Sequence, residues 1–265
     1  MLFRLVKKHI AGTTMSAAIS KVVELNKKNI PASVTFLSFN IDTKTKAKYI
    51  SSTYMELIRR LSRLGLKASV HIKAEQLGLF LGEELMYNNF NEILSIGNKF
   101  GVFVWLELPE QHIELSKAFN GSKGYGVAFH EKEFKNFLSN SNIVHPTKIV
   151  FEEYNKNQAK NKANLNTEKL LIKYMKKSNN IILSSPPENL IKEIVSGKNK
   201  FKNNIVLEFK LGYNRKKINK YVKKNKKIII NVPFGKDWAE FAMNSVPEGY
   251  MRFLANNLLS EKKEK

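Results

Sequence analysis

Residues 228–254 read IIINVPFGKDWAEFAMNSVPEGYMRFL, and this stretch decides the fold. Ile228, Ile229 and Ile230 begin a run of β-branched residues with no polar alternation. That is the pattern of a parallel strand covered on both faces. Pro233-Phe234-Gly235 then punctuates the run as a turn. Lys236-Asp237-Trp238 follows, and from Ala239 the spacing becomes helical. The whole is a strand–loop–helix unit.

Working outward, the same unit recurs along the chain. Short runs rich in Val, Ile and Phe predict strands at Ala32–Phe39, Lys67–Lys73, Val102–Leu108, Tyr125–His130, Lys148–Tyr154, Asn180–Ser184, Asn204–Leu211 and Lys227–Val232. A leading helix is predicted over Ala11–Asn29, where Met15, Ala18, Ile19, Val22 and Val23 share a face and Pro31 stops it. Further helical patterns fall at Tyr49–Leu64, Glu83–Asn98, Glu168–Lys177 and Glu188–Val195. Ser185-Pro186-Pro187-Glu188 reads as a helix start, with Ser185 as cap. Eight strands alternating with helices predict an α/β fold, a closed (βα)8 TIM-like barrel with a leading N-terminal helix. An open doubly wound sheet is the alternative, but no strand is followed by GxGxxG. One domain spans 1–265, with a helical lead over 1–30 and a basic tail over 255–265. The polar stretch Asn155–Asn166 falls on the strand-to-helix side, where barrel sites are built, as a lid or a loop.

Composition sets outer bounds. The chain has 265 residues, and its 43% apolar content suffices for a sizeable core. The absence of cysteine excludes disulfides and thiolate chemistry. No apolar run is long enough to span a bilayer, and MLFRLVKKHIAG lacks the apolar centre of a signal peptide, so a cytoplasmic protein is expected. The net charge is +22, yet only six of the 45 basic residues are Arg. Lysines spread over the helices read first as solvated faces. Nucleic-acid readers favour bidentate Arg and stacked aromatics, so no specific nucleic-acid partner is predicted.

Two phrases carry a family resemblance. IKAEQLGLFLGEEL, Ile72 to Leu85, is similar to the proline dehydrogenase phrase VKLSQLGLDLDEEL, and the 228–254 stretch resembles that family's VYVPYGKDW unit. KHIAGTTMSAAISKVVELNKKNIPASVTFL resembles the family's opening, so the likeness covers nearly the whole chain. The resemblance implies a barrel that oxidises proline by hydride transfer to FAD, with a small amine or amino acid as substrate. It places Lys73 on the family's active-site lysine and Glu107 where an Asp is usual, and both are candidate catalytic residues. His130 and Lys132 are the nearest counterparts of a flavin-contacting Arg. Glu208 is kept, as is Tyr213, and Lys210 replaces a Gln; with His130 and Lys132, Glu208 and Lys210 are the candidate cofactor-binding residues. Asn231 replaces the aromatic that covers the substrate.

The departures fall at the site. Phe151 takes the place of a strand-five lysine, Ser184-Ser185 the place of a strand-six histidine, and strand one loses its acids. Asn244 and Ser245 stand where the family has the Arg-Arg pair that clamps the proline carboxylate. Two charge-assisted contacts of that kind are together worth about 3–6 kcal/mol. Two readings follow. One is a diverged FAD oxidoreductase acting on proline or a related cyclic amine, whose lysine-rich surface suits loose contact with an anionic membrane. The other is a barrel that binds a ligand or partner without flavin chemistry.

Each candidate also has a plainer reading. Lys73 could simply end a strand in solvent, and Glu107 and Glu208 could pair with nearby lysines. Glu75, Glu110, Glu131, Glu152 and Glu153 add acids near the same rim, which would suit a cationic ligand or a hard metal ion, or be scattered loop acids. The five histidines have no metal-ligand spacing, and no metal is assigned. His71 reads as a barrel-core histidine, and Tyr213 and Trp238 read as packing residues.

Overall fold

A computed structural model describes residues 8–119, 122–134, 146–151, 170–176, 180–196, 205–224 and 227–238, apart from the side chain of Glu110. Eight parallel strands close in sequence order: β1 (Ala32–Phe36), β2 (Ala68–Lys73), β3 (Val104–Glu107), β4 (Tyr125–His130), β5 (Thr147–Val150), β6 (Ile181–Ser184), β7 (Ile205–Lys210) and β8 (Lys227–Phe234). β8 returns to β1 through Ser33 opposite Asn231 and Phe36 opposite Phe234. The expected closed barrel is therefore what forms, and the open sheet is not.

Most strand ends fall within a residue of expectation; β3 starts two residues later, at Val104, and β1 and β8 depart at their carboxyl ends. β1 stops at Phe36 because side chains take over its backbone groups. The Phe36 N–H donates to the Tyr54 hydroxyl (3.1 Å), Gln76 Nε2 donates to the Phe36 carbonyl (2.7 Å), and the Phe39 N–H donates to Asp237 (3.0 Å). β8 runs two residues beyond Val232. Pro233, which has no N–H to give the ladder, offers its carbonyl to Ala11 (2.8 Å). β5 is defined only to Val150, so the remainder of the Lys148–Tyr154 expectation, past Phe151, lies outside the described residues.

The leading helix forms over Met15–Asn26, capped by Thr14, whose hydroxyl accepts from the Ala17 N–H (3.2 Å). Helices Lys44–Arg63 and Glu83–Phe100 bury Ile50, Tyr54, Leu57, Phe90 and Ile93 against the outer faces of the strands. Residues 170–176 are helical, as are Glu188–Ser196 and Arg215–Lys223. Ser185 is not the cap expected of it. It adopts a left-handed φ of 56° and gives its N–H to the Glu208 carbonyl, and the helix starts only at Glu188. Tyr213 and Trp238 pack as expected: Tyr213 stacks on Phe209 at 4.5 Å, and Trp238 joins Ile10, Leu37 and Phe39.

Candidate active site

Strand alternation decides which side chains enter the barrel. On β2 they are Ser69, His71 and Lys73; on β3, Trp105 and Glu107; on β5, Lys148 and Val150; on β7, Glu208 and Lys210. Their carboxyl-end members meet in a cavity of about 550 Å³. Lys73, Glu107, His130, Lys210 and Asn231 all line it, while Val150 and Phe151 give it an apolar wall.

The phrase after β2 fixes this rim. Gln76 accepts the Lys73 N–H (3.1 Å) and donates to the carbonyls of Phe36 (2.7 Å) and Ser38 (3.2 Å), which joins β2 to the end of β1. Gly78 permits the tight turn that follows. Its φ is 92°, and an added Cβ would lie 2.6 Å from Leu85. This is the physical reason for the Gln-Leu-Gly-Leu spacing.

Glu107 is the centre of the rim. Its carboxylate accepts from His71 Nε2 (2.7 Å), Lys73 Nζ (3.1 Å) and His130 Nε2 (3.4 Å). Burial alone would raise this carboxyl. Lys73, His130 and His71 outweigh that and hold it well below the usual carboxylate range. Glu107 is thus a fixed anion, and Lys73, with 41% of its side chain exposed, presents its ammonium to the cavity.

Beneath lies a residue the sequence reading passed over. Lys148 is fully buried, and its three N–H groups find three acceptors: Glu208 (2.8 Å), Ser33 Oγ (3.2 Å) and His71 Nδ1 (3.3 Å). Glu208 also accepts from Ser184 Oγ (2.8 Å). The bonds run in one sense, from Lys148 to His71 and from His71 to Glu107, and they define His71 as the neutral tautomer protonated at Nε2. Burial, and next the Lys148 charge, depress its basicity. Burial likewise lowers Lys148, and the charge of Glu208 partly offsets that. The signal for Lys148 was present. A charged residue at an inward position of a strand covered on both faces has only the barrel interior to enter, and Glu208 is its complement.

The other candidates are sorted by position. His130 points into the cavity, whereas Lys132 is exposed on the turn Glu131–Glu133 and does not line it. Asn231 donates to Thr35 Oγ1 (3.0 Å) at the rim. Glu208 lies at the cavity floor rather than its mouth. Asn244 and Ser245 lie outside the described residues, as do Glu152 and Glu153. Among the described residues no three acidic or histidine side chains gather as a metal site, and Glu107 and Glu208 each have a cation against them. No helix among the described residues is long and apolar enough to cross a membrane.

The two histidines should titrate on opposite sides of the ordinary value of 6.5. His130 is raised by its bond to Glu107, against a smaller opposing effect of burial, and His71 is lowered. The stabilising contribution of His130 is therefore fully present below about pH 6.5 and lost as pH rises through its folded value. Imidazole resonances followed by NMR give the check, and coincident midpoints near 6.5 would contradict this arrangement.

Comparison with known proteins bears on the fold. No family model matches the chain. Proline dehydrogenase 1 of Bacillus subtilis (strain 168) is 23% identical over 104 residues, 39% of this chain and 34% of the relative. A proline dehydrogenase of Deinococcus radiodurans is 25% identical over 112 residues, 41% of this chain and 36% of the relative. The matched stretch spans about a third of the length of these curated relatives. The barrel of proline utilization A from Bdellovibrio bacteriovorus, in the form inactivated by N-propargylglycine, superposes with a TM-score of 0.73 at 15% identity, over 88% of this chain and 31% of that one. Proline utilization A from Corynebacterium freiburgense gives 0.65 at 13% identity, over 99% and 32%. The chain is similar to proline dehydrogenases in sequence over about two fifths of its length and to proline utilization A in fold.

Proposed function

We propose that this proline dehydrogenase-like barrel is an FAD-dependent oxidoreductase acting on proline or a related cyclic amine. The observation that carries the reading is the Lys73–Glu107 ion pair at 3.1 Å, with His130 on the same carboxylate. Those three residues end the adjacent strands β2, β3 and β4, and their side chains meet at one carboxylate.

The residues present fit the ring portion of a flavin. The cavity has an apolar wall in Val150 and Phe151, and polar hydrogen at its edges in His130, Lys210 and Asn231. His130 and Lys210 would hold the polar edge of the ring, and Val150 would lie against its face. Bound there, FAD supplies a two-electron acceptor for the carbon beside the substrate nitrogen. Glu107 holds Lys73 at the rim, and the exposed ammonium orients an anionic group of the substrate. Glu107 remains ionised, so its part is to position Lys73 and His130 rather than to donate a proton.

The ligand-binding reading without flavin chemistry is favoured by one observation. Phe151 is almost wholly buried in the cavity wall, where the resemblance expects a lysine. Equilibrium dialysis against FAD separates the two. We expect reversible binding with a dissociation constant on the order of micromolar, and slow bleaching of the bound flavin by proline. Proline should be a poor ligand because Asn244 and Ser245 replace its clamp. No uptake at about 1 mM FAD, a level that already detects a contact of roughly 4 kcal/mol, would reject the oxidoreductase. Flavin retained tightly through purification would reject only the expectation of weak binding.

A further inference from the structure

The opposite end of the barrel holds a second cavity, of about 330 Å³. It is lined by residues at or just before the amino-terminal ends of the strands, away from the Lys73–Glu107 rim. In most barrels bulky branched side chains fill this layer. Here small residues interrupt that layer on three strands. Ser33 and Ser69 are both buried, and Gly126 has no room for more, since an added Cβ would lie 2.5 Å from the Trp105 ring and 2.7 Å from the Pro146 carbonyl.

Trp105 forms the inner wall. The Lys148 ammonium lies 5.0 Å from its ring centroid, so the indole stands between the buried ion pair and this cavity. The Phe103 ring lies 4.9 Å from Trp105, tilted by 51°. Ile182, Val206 and Ile229 complete an apolar interior, and Asn180 and Lys227 stand exposed at its mouth. Among these walls the Ser69 hydroxyl is buried, at 8% residue exposure, and has no hydrogen-bond partner among the described residues.

We propose that this cavity binds a small neutral aromatic molecule bearing one hydroxyl, of the phenol class, with its ring against Trp105 and its hydroxyl on Ser69. Three arguments fix the chemistry. An apolar lining takes an apolar body, and the two tilted rings offer edge and face contacts to a third. Inside the exposed mouth formed by Asn180 and Lys227, a single buried hydroxyl supplies one polar contact. That is too few for an ordered water, which needs two to four, but enough for one ligand hydroxyl. A charged ligand is disfavoured because no buried charge among the described residues lines the wall, and Lys227 at the mouth is exposed to solvent. The inference does not depend on the flavin reading, because none of these residues lines the other cavity.

The test is titration of the purified protein with phenol, following the two indole N–H signals of Trp105 and Trp238 by NMR. The Trp105 signal should shift with a dissociation constant on the order of 1 mM or tighter, while Trp238 stays fixed. Ser69→Ala should weaken phenol about tenfold and leave toluene binding unchanged. Ser69→Leu, whose fold is checked by circular dichroism, should abolish both. A Val206→Phe variant fills the cavity from another strand if the leucine variant does not fold. A Trp105 signal unmoved at about 10 mM phenol, roughly tenfold above the expected constant, overturns the proposal. So does binding that survives a folded cavity-filling variant. Toluene weakened as much as phenol by Ser69→Ala would overturn the assigned hydroxyl contact.

Discussion

Lys148→Met should lower the stability of the barrel by about 3–5 kcal/mol, the cost of removing one partner from a buried ion pair. Neither Lys148 nor Glu208 is exposed, so the remaining carboxylate cannot turn to water. Glu208 would retain Ser184 as its donor, and His71 would lose the group on its Nδ1. For a domain of this size the loss corresponds to a fall in melting temperature of about 6–20 °C. Lys148→Met combined with Glu208→Gln should recover most of it, because the uncompensated charge is then gone. The pH dependence has a definite sign. In the wild type, burial tends to raise the Glu208 carboxyl, but Lys148 and His71 hold it below 4.5. Its contribution is present above about pH 4.5 and lost as pH falls through the folded value. The gap between wild type and variant should therefore narrow in acid. A loss under about 1 kcal/mol at neutral pH, the size of an exposed pair, would mean that Lys148 is not the buried partner of Glu208.

Glu107→Gln should be milder for stability and severe for chemistry. Lys73 is partly exposed and can return to water, and a Gln oxygen can still accept from His71, so a loss of about 1–3 kcal/mol is expected. That difference should be largest between about pH 4.5 and 6.5, shrink as pH rises through the raised His130 value, and vanish as pH falls through the Glu107 folded value. The His130 midpoint should drop, because its carboxylate partner is its largest source of stabilised charge. Two charge-assisted contacts, at about 1.5 kcal/mol or more each, then cease to orient Lys73 and His130. If the oxidoreductase reading holds, anaerobic reduction of bound flavin by substrate should slow at least about a hundredfold. Glu107→Asp, the residue usual in the resembling family, should retain much of the rate. A Gln variant that reduces flavin at the wild-type rate would remove Glu107 from the mechanism.

The site was partly legible because its residues belong to local phrases. Lys73 and Gln76 come within one phrase whose glycine and glutamine have local steric and hydrogen-bonding reasons. His130 and Glu107 each end a strand whose apolar run is visible by inspection. Where several residues compete for one role, the phrase is silent. Whether His130 or Lys132 faces the cavity depended on where β4 ends and its turn begins. In strand five the phrase shows the lost lysine at Phe151, but not that Lys148, three positions before it, enters the barrel. Likewise the expected acidic mouth changes character once Lys73, His71 and His130 are seen against Glu107, and Lys148 against Glu208.

The sequence by itself determined the strand–helix alternation, the number of strands and the rim positions of Lys73, Glu107 and Asn231. Those follow from hydrophobic periodicity and turn chemistry, which act between residues close in the chain. Only the tertiary structure decided that Lys148 meets Glu208 across 60 positions and Ser33 across 115, that Ser69 faces an apolar cavity, and that Trp105 stands between that cavity and the ion pair. The physical reason is closure of the barrel. It brings inward side chains of distant strands into a common layer, and burial there makes charge pairing obligatory where solvent would have left it optional.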